Sequence, residues 1–185
     1  MKVTGILLSF LMAGSLAAGI MTESAPVEAT TEVTAEPAAV VTEFVADAEI
    51  PLDCDLQKYI EDMSNLYGIS PCLVYGMIRV ESNFCADAVS CDGKSVGLMQ
   101  IQERWHRDCM ARLGATDLKN PYDNVTTGID YISELLKKYN GDAVWALTAY
   151  NRGDAGAKKY FAKGNTTSAY AEKVLGYANE YEQRR

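Results

Sequence analysis

The stretch Arg79-Val80-Glu81-Ser82-Asn83-Phe84 puts a carboxyl group where an apolar residue would be expected. Upstream, Val74, Met77 and Ile78 lie on one stripe of a helical pattern, and continuing that stripe by three and four residues reaches Glu81. Arg79 and Ser82 fall off it. A glutamate on the core side near the end of a helix meets two effects that favour its neutral form. Partial burial disfavours the carboxylate, and the negative end of the helix dipole disfavours another negative charge. A carboxylic acid still protonated near neutral pH can hand its proton to a leaving oxygen. The competing reading is a frayed last turn in which Glu81 simply meets water.

Downstream, the segment from Ala86 to Ile101 carries an Asp92-Gly93 turn between short runs that could pair as a hairpin. Gly97 allows close backbone approach before Leu98, Met99 and Ile101, and Gln100 brings an amide that can donate and accept. Such a wall suits a sugar polymer. The same residues also read as an ordinary buried strand with one polar position facing out.

These residues need elements to hold them. Leu56, Ile60, Met63 and Tyr67 recur at helical spacing, with Asp53 or Asp55 as the cap and Gly68 as the stop. Ser70 and Pro71 form a cap and first-position proline for the helix that carries Glu81. The chain of 185 residues has room for one domain of ordinary size. Residues 1–21 combine one lysine, an apolar run and small residues, the pattern of an export signal, with an uncleaved membrane anchor as the alternative. Residues 22–50 hold seven of the 25 acidic residues and none of the 17 basic ones, a composition expected of a disordered, charge-extended tether. Residues 51–185 are then the folded domain, nearly neutral, with no basic face that would bind nucleic acid.

Glu81-Ser82-Asn83-Phe84, Gly97-Leu98-Met99-Gln100-Ile101, the run with Asn124, Gly128 and Tyr131, and Ala149-Tyr150-Asn151-Arg152-Gly153 occur in one order. Together they resemble the soluble-lytic-transglycosylase (SLT) family, over about residues 55–178. The resemblance implies an α+β, predominantly helical, lysozyme-like fold with a small antiparallel hairpin or sheet beside a cleft. It also implies action on peptidoglycan: cleavage of the β-1,4 bond between N-acetylmuramic acid and N-acetylglucosamine with closure to a 1,6-anhydro end. Glu81 would act as acid, then base. Gln100 and Asn151 would bind sugar near the scissile bond, Met99 would line the cleft, Tyr150 would support its wall, and Tyr170 would lie close to the acid. Ser82 would hold the loop or contact substrate, while Asn124 and Gly128 read as structural. Packing is the competing account for Met99, Tyr150 and Tyr170. Trp105 and His106 read as packing or cleft rim.

Two places depart from the family pattern: Ser95, and Gln102 to Arg104, where a proline-bearing turn is usual. Both bear on substrate fit. A single histidine leaves little for a histidine-based triad or metal site, and neither a metal nor a cofactor is implied. Five cysteines in an exported chain imply bridges and a spare thiol, with Cys85 and Cys91 placed to staple the loop and Cys54, Cys72 and Cys109 left unassigned. The expected product is a monomeric, exported enzyme, extracellular or associated with the cell wall. Alternatives are a muramidase hydrolysing the same bond, or a non-catalytic peptidoglycan-binding part of a secretion or conjugation apparatus.

Overall fold

The computed structural model describes residues 43–185. The expected signal and most of the expected tether lie outside the described residues. Seven helices follow in order: α1 (Cys54–Tyr67), α2 (Pro71–Ser82), α3 (Glu103–Leu113), α4 (Pro121–Lys138), α5 (Ala143–Arg152), α6 (Asp154–Phe161) and α7 (Ala169–Glu182). Their ends follow the local chemistry. The Asp53 carboxylate accepts from the Leu56 amide, Gly68 closes α1 in the left-handed conformation, and the Ser70 hydroxyl caps α2 ahead of Pro71. At α4 the cap is Asn120, one turn before Asn124.

The expected hairpin is corrected. Among the described residues the chain forms only isolated antiparallel bridges, Val89 to Val96 and Val96 to Ile101. The reason is crowding of turns. Gly97 and Gln100 both have positive φ, at 77° and 48°, so the chain reverses within four residues and Val96 and Ile101 exchange both backbone hydrogen bonds at 3.0 Å. Another turn at Gly93 precedes it, leaving no extended run for a ladder.

The expected cysteine staple is also corrected, since Cys85 and Cys91 are free and exposed thiols. The loop is ordered by hydrogen bonds instead. The Ser90 hydroxyl donates to Asp92 at 2.7 Å and accepts from the amides of Lys94 and Ser95, while Lys94 pairs with Asp92.

α2 is the central element. Val74, Met77 and Ile78 are fully buried, as their stripe predicts. Its Gly76 faces α7 so closely that a Cβ there would lie 2.6 Å from the Val174 carbonyl oxygen and 3.1 Å from the Ala178 nitrogen. The absence of a side chain thus lets two helix backbones touch and fixes α7 over the carboxyl end of α2.

The last part of the expected tether, residues 43–50, packs on the domain rather than leaving it. Ile50 is buried, and the buried Gln57 side chain accepts from the Asp47 amide at 2.9 Å and contacts the carbonyls of Asp47, Ile50 and Leu52. Arg184 pairs with Asp47 and Glu49. Composition alone hides this docking because its decisive residue, Gln57, lies in α1.

Candidate active site

Glu81 sits in the last turn of α2, and the backbone beyond it bends sharply. Asn83 and Phe84 both adopt positive φ, 48° and 64°, a conformation costly for a residue as bulky as phenylalanine. Packing holds it there: Phe84 is buried, its ring edge-on to Tyr181. The turn lets α2 stop beneath a groove of about 1060 Å³.

The Tyr170 hydroxyl, from the first turn of α7, donates to the Glu81 carboxylate at 2.6 Å. Burial raises the Glu81 pKa from its ordinary value, and the Tyr170 bond offsets part of that rise by favouring the charged form. Tyr170 itself is held far above the usual phenol range, first by burial and then by the Glu81 charge, so it remains a donor.

Gln100, Tyr150 and Asn151 line the same groove as Glu81. Gln100 takes an unfavoured left-handed conformation, and its amide nitrogen donates to the carbonyls of Ala88 and Gly97 at 3.1 and 3.0 Å. Its carbonyl oxygen has no partner among the described residues, which leaves it open to accept a hydrogen bond. Tyr150 is pinned by its hydroxyl, which donates to the Met99 carbonyl at 2.9 Å. Asn151 stands exposed near the end of α5.

The remaining candidates lie elsewhere. Met99 is fully buried, and its sulfur occupies the space a Cβ on Gly128 would need, 2.3 Å away, so it packs the wall from behind instead of lining it. The Ser82 hydroxyl donates back to the Ile78 carbonyl at 3.2 Å within its own helix and does not face the groove. Tyr170 meets Glu81 from α7 and is not part of the groove lining.

One residue gathers this wall. Asn124, fully buried in α4, accepts from the Met99 amide at 2.8 Å and donates to the carbonyls of Val96 and Leu118 at 2.8 and 2.9 Å. A single side-chain amide therefore replaces the missing sheet.

The facing wall comes from α3 and α4 and was not assigned to binding from sequence. His106 packs edge-on to Tyr131 at 4.6 Å, and burial lowers its pKa despite the opposing pull of Asp130. Arg112 reaches from α3 to α4 and donates to both oxygens of buried Asp130, at 3.1 and 2.8 Å, where Tyr67 and Cys109 also donate. Helical periodicity in α3 is the signal that could have placed this wall, because Trp105, His106, Cys109 and Arg112 recur at helical spacing on the groove side, with Arg104 and Asp108 flanking them.

The model of the transglycosylase SLT domain matches residues 58–173, well over half of the chain. The chain belongs to the transglycosylase SLT domain family. This SLT domain is 33% identical over 116 residues to the membrane-bound lytic murein transglycosylase C of Actinobacillus pleuropneumoniae serotype 5b, covering 55% of the chain and 32% of that relative. It is 29% identical over 148 residues to the protein of the same name in Photorhabdus laumondii, covering 71% and 41%. The chain thus spans well under half the length of both curated relatives. Among solved structures it resembles an inactive mutant of lytic transglycosylase Slt from Pseudomonas aeruginosa, with TM-score 0.63, 23% identity and coverage of 73% of this chain and 25% of the other. The 70 kDa soluble lytic transglycosylase of Escherichia coli gives TM-score 0.62 at 18% identity, with the same coverage. The SLT domain is thus predominantly helical, with the fold of these neighbours. No helix among its described residues is long and apolar enough to cross a membrane.

Proposed function

We propose that this SLT domain is a peptidoglycan lytic transglycosylase. The observation that carries the reading is the Glu81 carboxyl group, held above its usual pKa by burial, hydrogen-bonded to Tyr170 at 2.6 Å and opening on the groove. In the first step the neutral Glu81 carboxyl protonates the glycosidic oxygen between N-acetylmuramic acid and N-acetylglucosamine, and the bond from C1 to that oxygen breaks. The resulting carboxylate then removes the proton from the muramic 6-hydroxyl, whose oxygen closes onto C1. The proton returns to Glu81, and a 1,6-anhydro end forms without water.

One carboxyl suffices for this cycle, whereas a usual hydrolase places a second carboxylate roughly 5 to 9.5 Å away. The acidic residues nearest to Glu81 in sequence downstream, Asp87 and Asp92, do not line the groove; Asp108 and Glu134 do, from α3 and α4, and Glu134 is paired with Arg112. Gln100 and Asn151 supply polar contacts toward the sugars beside the acid. The names of the relatives, membrane-bound lytic murein transglycosylases, support work at the cell envelope, and the composition of residues 1–21 fits an export signal.

Mass spectrometry of muropeptides released by the purified chain is the direct test. The expected products carry anhydro ends, lighter by one water than the reducing ends that hydrolysis would give.

Tyr170→Phe gives a second expected outcome. The hydroxyl favours ionised Glu81, so its loss moves the Glu81 pKa further upward. The limb of the pH-rate profile on which activity falls as Glu81 loses its proton should shift to higher pH. A shift to lower pH, or an unmoved limb, would remove Tyr170 from the tuning of the acid.

A further inference from the structure

The first turn of α3 and its N-cap residue, Gln102, hold three features that the acid chemistry leaves unused. Trp105 lines the groove yet is 71% exposed, among the largest exposures of any bulky apolar side chain in the described residues. Arg104 lies over its indole at 4.6 Å from the ring centroid, and Arg104 has no ion-pair partner among the described residues. Gln102, also in the groove wall, donates to the Ser95 hydroxyl at 3.1 Å, while its carbonyl oxygen is buried with no hydrogen-bond partner.

An exposed indole loses the hydrophobic stabilisation it would gain by burial, and a buried amide oxygen without a partner costs roughly 1 to 3 kcal/mol. Both deficits sit in one wall of a groove that Glu81 also faces. They have complementary remedies. A pyranose presents an apolar face of C–H bonds that covers an aromatic ring, and an N-acetyl group presents an amide N–H. The terminal torsion of a glutamine is soft, so a small rotation turns the Gln102 oxygen toward a ligand in the groove. Arg104 already covers one face of the indole, which leaves the other for the sugar.

We infer that Trp105 and Gln102 form an amino-sugar subsite away from the reacting bond, in which Trp105 stacks on an N-acetylated ring and Gln102 accepts its amide hydrogen. This rests on the reading of the groove as a glycan site. It adds a specificity element at the start of α3, where Gln102 and its partner Ser95 are among the positions that depart from the family pattern. Trp105 touches neither Glu81 nor Tyr170 in that role. Its contribution is to binding, and the proton chemistry is left as it is.

The two tryptophans allow a direct test, because Trp145 is stacked on Phe161 at 4.0 Å and lies against Tyr139 whereas Trp105 is open. The full chain carrying Glu81→Gln is titrated with a chitooligosaccharide, a polymer of N-acetylglucosamine, and followed by tryptophan emission. The expected result is a blue shift that survives Trp145→Phe and vanishes in Trp105→Phe. Trp105→Ala should weaken binding about tenfold by calorimetry, with Trp105→Tyr restoring most of it. Gln102→Leu, which fills similar space without the acceptor, should weaken binding several-fold while keeping the blue shift. On peptidoglycan, Trp105→Ala in the Glu81-intact chain should raise KM and leave kcat close to its starting value.

A blue shift that persists in Trp105→Phe, or unchanged affinity in both Trp105→Ala and Gln102→Leu, would overturn the subsite. Anhydro products from the intact chain would then leave the transglycosylase reading standing. Failure of peptidoglycan cleavage alongside the expected blue shift would instead uphold the subsite and overturn the proposed reaction.

Discussion

Glu81→Gln abolishes glycan cleavage and leaves the domain folded. The amide keeps the size of the carboxyl and still accepts the Tyr170 hydrogen bond, but it has no proton to give or take. The expected loss is on the order of 10²-fold to 10⁴-fold, read as release of soluble muropeptides. Near-wild-type turnover would mean that another group is the acid. Stability gives an independent check on the raised pKa. A carboxyl whose folded pKa lies above its unfolded value stabilises the fold fully below the unfolded value, and that stability is lost as pH rises through the folded one. The glutamine variant is neutral throughout. Its melting temperature should therefore match or exceed that of the wild type near neutral pH, and the margin should close in acid, where Glu81 is also protonated. A variant less stable near neutrality than in acid, relative to wild type, would contradict a buried, reluctant carboxylate.

Gly97→Ala is expected to be the most damaging small substitution in the wall. Two penalties combine there. The backbone has φ of 77°, which costs a side-chain-bearing residue about 1 to 2 kcal/mol. A Cβ would also lie 2.3 Å from the Asn124 amide nitrogen and 2.9 Å from the Leu118 carbonyl oxygen. Overpacking of this kind adds about 1 to 3 kcal/mol. Together they remove about 3 kcal/mol, a large part of the roughly 5 to 15 kcal/mol that holds a domain folded, and the melting temperature should fall by about 10 °C. Activity should fall further than stability alone accounts for, since Asn124 holds the turn that carries Gln100. Gly93→Ala is the matched control, with φ of 71° but open space around the Cβ. It should show only the backbone penalty, so an equal loss in both variants would remove the clash from the explanation.

The parts of this architecture that depend on neighbours along the chain were legible in the sequence. Asp53, Gly68, Ser70 and Pro71 mark the ends of α1 and α2 because caps act within one turn, and the stripe of Val74, Met77 and Ile78 points Glu81 inward for the same reason. The parts set by distant partners were not. The Asp92-Gly93 turn between short runs suggested a hairpin, but consecutive turns and the Asn124 amide from α4 replace the ladder. Met99 looks like a cleft residue until Gly128, 29 positions away, is seen to receive its sulfur. Cys85 and Cys91 suggested a covalent staple because the sequence shows proximity along the chain and not the polar contacts of Ser90 and Asp92. The roles of Tyr150 and Tyr170 followed from the family resemblance rather than from any local pattern.

Gly76 has a consequence for how such a site can diversify. Because α2 and α7 touch backbone to backbone there, the acid and the hydroxyl that tunes it belong to a single rigid jaw. The opposing jaw is built on α3 and its N-cap, where Gln102, Arg104 and Trp105 make no hydrogen bond to either group. On the proposed reading, substitutions on that second jaw change which polymer is gripped without altering acid strength. The fold thereby separates the inheritance of a reaction from the invention of a preference, and new substrate tastes can be explored one surface residue at a time while the proton keeps its place.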